Sequence, residues 1–246
     1  MLNLQAPLPQ DLPPFFMTIS LVLSVILLGE LLIRRFSVSA FVVRKIIHLG
    51  MGIVVFFVPS YFASNFYPLL AALFFLLLNG LNLFRGWLLS LHSETVEPGG
   101  APGLNSYGSM LFPLVFMLLA LFLWDDNRWI LQSAMLVMGI GDSLAAIVGS
   151  TAGRRHIEHL TESPKTLEGS ATMFVVSFLL LLMCLVFFGG DINGALASQP
   201  FWIILLFALF LALVATAVEA LLSRGLDNFF IPVAIAYVLY VLEMNH

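Results

Sequence analysis

Charge is scarce in this chain. Asp, Glu, Lys and Arg make up only 10% of its 246 residues, against roughly 25% in a soluble domain, so a polar shell around one core cannot be assembled. No long basic run is present and the formal net charge is -4, which argues against a nucleic-acid partner, because phosphate backbones are held by clustered Lys and Arg. The single cysteine, Cys184, lies inside an apolar run; a lone thiol excludes an intramolecular disulfide and a Cys-based metal framework. Internal repeats, low-complexity tails and long linkers are missing too, so residues 1–246 read as one domain. The first fourteen residues hold no Lys or Arg, and no basic leader or small-residue cleavage site precedes the first apolar run, which therefore reads as an anchor that stays.

What the chain has in excess is apolar surface: 61% of its residues are hydrophobic and the mean hydropathy is +1.04. The solvent must be lipid. Crossing the hydrocarbon core takes about 20 apolar residues, and polar interruptions divide the sequence into about eight such runs, near 15–33, 46–61, 66–84, 107–124, 130–149, 171–188, 201–222 and 229–242. Runs this long predict helices, since an open sheet edge cannot be satisfied in lipid and a β-barrel would show short alternating segments. The expected fold class is all-α, a polytopic integral membrane bundle of about eight transmembrane helices.

Orientation follows from the ten Lys and Arg residues. With the N-terminus outside, Arg34, Arg35, Arg44, Lys45, Arg85, Arg154, Arg155, Lys165 and Arg224 fall on the cytoplasmic side and Arg128 alone falls outside. The two longest polar stretches, 85–106 and 150–170, share that cytoplasmic side, which directs the chemistry there, toward a soluble reactant.

Ionisable residues within spans are functional candidates, because each is costly in lipid. Glu30, His48, Asp142 and Glu219 qualify, all in the cytoplasmic half. Glu30 has Arg34 at i+4, which suits an interfacial ion pair. In GIGDSLAAIVGSTAGRR, 139–155, Asp142 interrupts an apolar helix whose small residues Gly141, Ala145 and Gly149 also suit a helix-packing seam. In SPKTLEGS, 163–170, Ser163 reads as an N-cap with Pro164 at the first helical position, placing Lys165, Thr166 and unpaired N–H groups at a helix N-terminus fit for phosphate. RKIIHLGMG, 44–52, puts Arg44 and Lys45 one turn before His48. LDNFFIP, 226–232, opens the last span with an Asp227-Asn228 turn soon after Glu219.

These four segments, in this order, resemble the phytol kinase and dolichol kinase family of membrane lipid kinases, which includes CTP-using diacylglycerol kinases. The matching residues are Arg44, Lys45, His48, Gly50 and Gly52; Gly141, Asp142, Ala145, Gly149, Gly153 and Arg154; Lys165, Thr166, Glu168, Gly169 and Ser170; and Glu219, Asp227, Asn228 and Pro232. They cover residues 44 to 232. The resemblance implies transfer of the terminal phosphate of a nucleoside triphosphate, by analogy CTP, to the hydroxyl of a prenyl alcohol such as phytol, geranylgeraniol or a polyprenol, within membrane lipids. It further implies Asp142, Lys165 and Glu219 as catalytic groups, and Arg44, Lys45, His48, Gly141, Arg154, Thr166, Gly169 and Ser170 around the nucleotide phosphates. Asp142, Glu219, Asp227 and Asn228 would be the ligands of a divalent cation, Mg²⁺. Relatives carry an arginine in the loop before the fourth span; here ETVEPGGAPGLNSYG, 94–108, has none.

Two other activities are consistent with the same residues. A CDP-lipid-forming membrane cytidylyltransferase would release pyrophosphate where a kinase releases CDP. An ion- or proton-coupled transporter would use the intramembrane carboxylates as ion sites, but transporters of that kind show paired broken helices in two related halves, which this sequence does not.

Overall fold

A computed structural model describes residues 3–91, 108–157, 165–188, 199–222 and 225–244. Its helices follow the apolar runs. A short 3-10 turn, Pro9–Asp11, leads into α1 (Leu12–Phe36); then come α2 (Ala40–Tyr61), α3 (Phe66–Arg85), α4 (Gly108–Leu123) and α5 (Arg128–Leu136). A π-helical turn, Val137–Asp142, carries α5 without a break into α6 (Ser143–Ala152). Two strands of two residues each, β1 (His156–Ile157) and β2 (Lys165–Thr166), precede α7 (Leu167–Phe187), α8 (Phe201–Leu221) and α9 (Asp227–Met244).

Six helical segments are long and apolar enough to cross a membrane: Pro9–Phe36, Ala40–Tyr61, Phe66–Arg85, Arg128–Ala152, Leu167–Phe187 and Phe201–Leu221. Gly108–Leu123 is a shorter apolar helix, and α9 has 18 residues. The all-α membrane architecture read from the sequence is therefore the one observed. Bulky apolar side chains such as Leu28, Leu77, Leu179 and Phe210 point outward, which in water would invite aggregation and in lipid completes the solvation.

The segment Arg128–Ala152 is the axle of the bundle. Its apolar window is 78% buried, against 22% for α1 and α8, and Ile130, Leu131, Ala134, Met135, Val137 and Met138 are wholly enclosed. α2, α4, α7 and α9 pack around α5 and the π-helical turn. Asp142, at the end of that turn, is thus held among the packed helices and is buried.

Close approach of α2 to the turn depends on two glycines. A Cβ on Gly52 would stand 2.7 Å from the Cα of Gly139, and one on Gly139 only 2.4 Å from the Cα of Gly52. A similar contact closes the other side. Gly225, at φ +82°, brings its backbone against Gly108 at the start of α4, a left-handed conformation that glycine adopts without strain.

At the opposite end of the bundle, Arg128 donates to four backbone carbonyls, those of Trp124 (2.6 Å), Pro59 (3.1 Å), Phe62 (2.9 Å) and Ala63 (3.0 Å). The carboxylate of Asp11 accepts from the backbone N–H groups of Ala63 and Ser64, each at 2.9 Å. Asn3 and Gln5 both donate to Asp125.

Candidate functional site

Five charged side chains from five parts of the chain meet at one end of the bundle. Lys45, in the second turn of α2, extends its Nζ to within 2.6 Å of Asp142 Oδ2. Lys165, on β2, places its Nζ 2.6 Å from Glu219 Oε1 of α8 and 3.4 Å from Asp227 Oδ2 at the start of α9. Asp142, Glu219 and Asp227 are all buried, at 1%, 5% and 7% exposure. Two lysines thus share three buried carboxylates.

Hydrogen bonds fix these groups. Ser170 Oγ donates to Glu219 Oε2 at 3.2 Å, so both oxygens of Glu219 are engaged. The backbone N–H of Asn228 donates to Asp227 Oδ1 at 3.0 Å, and Asn228 Nδ2 donates to the carbonyl of Gly108 at 3.1 Å. Asn228 Oδ1, by contrast, is buried without a hydrogen-bond partner. Lys165 lies outside the spans, and its pKa is raised above the usual lysine value: burial pushes it down, but the carboxylates of Asp227, Glu219 and Asp142 outweigh burial. The ammonium therefore stays charged throughout the neutral range.

Comparison with known proteins adds the decisive observation. The chain is 30% identical over 217 residues to the phytol kinase of Synechocystis sp., an alignment covering 87% of this chain and 85% of that one. The chain belongs to the phytol kinase family. It is a phosphotransferase of the membrane-embedded kind that its four motifs resemble. No protein-family model matches it, and no solved structure matches it.

Among the residues that the family resemblance singles out, Lys45, Asp142, Lys165, Ser170, Glu219, Asp227 and Asn228 fall within the network just described. Arg44 stands on α2 beside Phe41, its guanidinium carbon 6.0 Å from the ring centroid. Arg154 is exposed. Gly141 packs on Met173 and Ser177 of α7, and Gly149 on Thr166 and Gly169. The small-residue seam thus exists and faces α7, while the neighbouring carboxylate of Asp142 reaches α2 instead. Glu30 is set apart from the cluster: Arg34 Nε donates to it at 2.6 Å and the backbone N–H of Ser90 at 3.1 Å, the ion-pair role its spacing suggested.

The phosphate-binding helix start proposed for 163–170 needs correction. Ser163 and Pro164 lie outside the described residues. α7 begins at Leu167, and Thr166 is its N-cap, accepting from the backbone N–H of Gly169 at 3.1 Å. Lys165 is not helical, because the antiparallel pairing of Ile157 with Lys165 and of His156 with Thr166 holds both residues extended. Two N–H groups of the first turn are already satisfied, that of Gly169 by Thr166 and that of Leu167 by the Arg155 carbonyl at 2.9 Å. Thr166 and Gly169 therefore shape the helix start and its packing, and Lys165 reaches the cluster from a ribbon.

The polar atoms gathered here that could face a cation, the carboxylates and the unpartnered Asn228 Oδ1, are all oxygen, the ligand type of a hard divalent cation. Among the described residues no three His, Cys, Asp or Glu side chains are close enough to hold a metal by themselves.

Sequence reasoning missed three contributors. The π-helical turn has no signature beyond the Gly139-Ile140-Gly141 run. Asn79, on α3, donates to the Ser109 carbonyl of α4 at 2.8 Å; an amide in an apolar span was the available signal. A mostly apolar pocket lies between α1, α2, α3 and α4, with His48 and Asn79 in its wall.

Proposed function

We propose that this protein transfers the terminal phosphate of a nucleoside triphosphate, CTP by the family resemblance, to the hydroxyl of a prenyl alcohol such as phytol, geranylgeraniol or a polyprenol. The observation that carries the reading is the buried cluster of two lysines and three carboxylates, built from the motif residues of a chain 30% identical to a phytol kinase.

Each part has a chemical task. Phosphoryl transfer needs little covalent help from the protein; it needs positioning and neutralisation of charge on the transferred group. Lys165, with its pKa held high, and Lys45 are the cations that face the phosphates, with Arg44 and Arg154 at the rim. When triphosphate arrives, its oxygens compete with Glu219, Asp227 and Asp142 for the two ammonium groups. Glu219, locked by Ser170, holds Lys165 in place. Asp142, with Asp227 and Asn228 Oδ1, is the set that would hold a divalent cation, which when bound neutralises charge on the phosphates. This divides the two central carboxylates: Asp142 serves the metal and the reacting end, Glu219 orients the lysine.

Nine of ten Lys and Arg residues fall on the side of this cluster in the eight-span reading, which puts the site on the cytoplasmic face, where nucleotide is available. The cytidylyltransferase alternative is separated by product. Purified protein is incubated with radiolabelled CTP or ATP and a panel of lipid alcohols and lipid phosphates. The expected result is a labelled alcohol phosphate and CDP; pyrophosphate with a CDP-lipid would overturn the reading.

A further inference from the structure

Two buried polar atoms in the wall of the α1–α4 cavity have no hydrogen-bond partner, His48 Nδ1 and Asn79 Oδ1. Both residues face α4. Asn79 is tied to Ser109 in the first turn of α4, and the His48 ring meets the ring of Phe112, three residues further along the same helix, at 5.6 Å between centroids. His48 itself is 6% exposed and lies one helical turn from Lys45, which holds Asp142. An unmet polar group in an apolar interior is destabilising, so a pair of them beside a cavity marks the place of a ligand's polar end.

Apart from Thr18 and Ser109, the rest of the lining is apolar. Val22, Val55, Phe75 and Phe112 line it, and it continues along α2 as far as Val58. The ten residues from His48 to Val58 span about 15 Å at the helical rise. The shape asks for a long hydrocarbon with one small polar head. The chemistry of the orphaned atoms narrows the head further. Asn79 Oδ1 can only accept, so it repels a phosphate oxygen, whereas a hydroxyl has a proton to give it and an oxygen to set against the imidazole.

We infer that this cavity is the binding site of the prenyl alcohol, with the tail between α1, α2, α3 and α4 and the hydroxyl received by His48 and Asn79, one turn from the Lys45–Asp142 pair. This rests on the alcohol-kinase reading and moves His48 from the phosphate end of the site to the alcohol end. It makes His48 and Asn79 positioning groups for the acceptor, and the girth of the far end, at Val58 and Val22, the determinant of tail length.

The test reads binding apart from turnover. Wild-type protein in detergent is photolabelled with geranylgeraniol bearing a tail diazirine, without nucleotide, alone or with excess phytol or excess diacylglycerol, and the adducts are mapped by mass spectrometry. The expected adducts fall on cavity residues such as Val22, Val58 and Phe75, and phytol suppresses them. Adducts confined to outward-facing residues such as Leu28 and Leu77, adducts that phytol leaves unchanged, or suppression by diacylglycerol but not phytol would each overturn the inference. In parallel, Asn79→Leu and His48→Gln should raise the KM for the alcohol about tenfold and leave the KM for nucleotide within about twofold; a rise in the nucleotide KM alone would return His48 to the phosphates. Cavity adducts from a protein that phosphorylates no alcohol would sink the kinase reading and keep the site. Turnover with adducts elsewhere would do the reverse.

Discussion

Lys45 Nζ and Asp142 Oδ2 stand 2.6 Å apart although 97 positions separate them in sequence. Their meeting depends on the Gly52 and Gly139 backbones touching nearby, two turns from Lys45 and one from Asp142, and it joins a motif at the start of α2 to one at the end of the π-helical turn. Asp142 is 2% exposed in its side chain and Lys45 15%, so the carboxylate cannot turn to water if its partner is removed, and the ammonium is only partly open to it.

Asp142→Asn should therefore lose two things that a double variant separates. Activity should fall at least about a hundredfold, near 2.7 kcal/mol of barrier. Thermal stability in detergent should also fall, by about 3 kcal/mol, because Lys45 is left without its counter-ion. Combining Lys45→Met with Asp142→Leu should recover most of the stability and none of the activity. Recovery of turnover in the double variant would show that the pair is architecture alone.

Lys165→Met keeps the side-chain stem and removes the ammonium that faces Glu219 and Asp227. The expected kinetic result is a raised KM for nucleotide, or a lowered kcat, with the alcohol KM unchanged. Chelation by EDTA should also stop turnover.

The pH dependence of stability carries a second signature of Lys165. Its folded pKa lies above the ordinary 10.5, so the stabilisation it contributes is fully present below that value and is lost as pH rises through the raised folded pKa. Melting temperature should stay level from neutral pH to about pH 10 as far as this group is concerned and drop above it. In Lys165→Met the alkaline drop should shrink, measured by thermal unfolding in detergent against wild type.

Gly139→Ala tests the crossing of α2 with the π-helical turn. The added carbon would stand 2.4 Å from the Gly52 Cα, so the helices must part, at about 1–3 kcal/mol for overpacking of this kind. Parting them lengthens the reach from Lys45 to Asp142. Turnover should fall further than stability, and a variant with full activity would remove the crossing from the account of the site.

Topology is tested with cysteines, for which the native background is low because Cys184 is 1% exposed. Introduced at positions 93 and 163 they should resist an impermeant thiol reagent added outside intact cells, and at position 193 they should react. Reaction at position 163 from outside would reverse the orientation.

Helices were legible in this sequence because lipid leaves the chain no other solution. The run predicted at 66–84 is observed as Phe66–Arg85, and that at 201–222 as Phe201–Leu221. The carboxylates Asp142 and Glu219 were legible for the same reason, since each breaks an apolar pattern, whereas Asp227 was read from the polar turn that opens the last span. What could not be read was partnership. Lys45 and Lys165 are three and one residue from groups that look equally suited to bind phosphate, and only tertiary packing assigns Lys45 to Asp142 and Lys165 to Glu219. The start of α7 was misplaced because Ser-Pro is a strong local cap signal, whereas the ribbon that holds Lys165 extended is fixed by pairing with residues eight positions earlier. Asn79 escaped notice because an amide carries no charge and so stands out less in a hydropathy profile.

Arg128 is the one basic residue expected on the far side, and every hydrogen bond it is seen to make goes to a backbone carbonyl. Carbonyl dipoles neither titrate nor exchange with dissolved ions. The hydrogen bonds of Arg128 are accordingly less sensitive to acidity and ionic strength than the Lys45–Asp142 and Lys165–Glu219 contacts at the opposite end, which join charge to charge. Salt added to the purified protein should loosen that charged end first, and hydrogen exchange should show amides near residues 45 and 167 opening before those near 62 and 128.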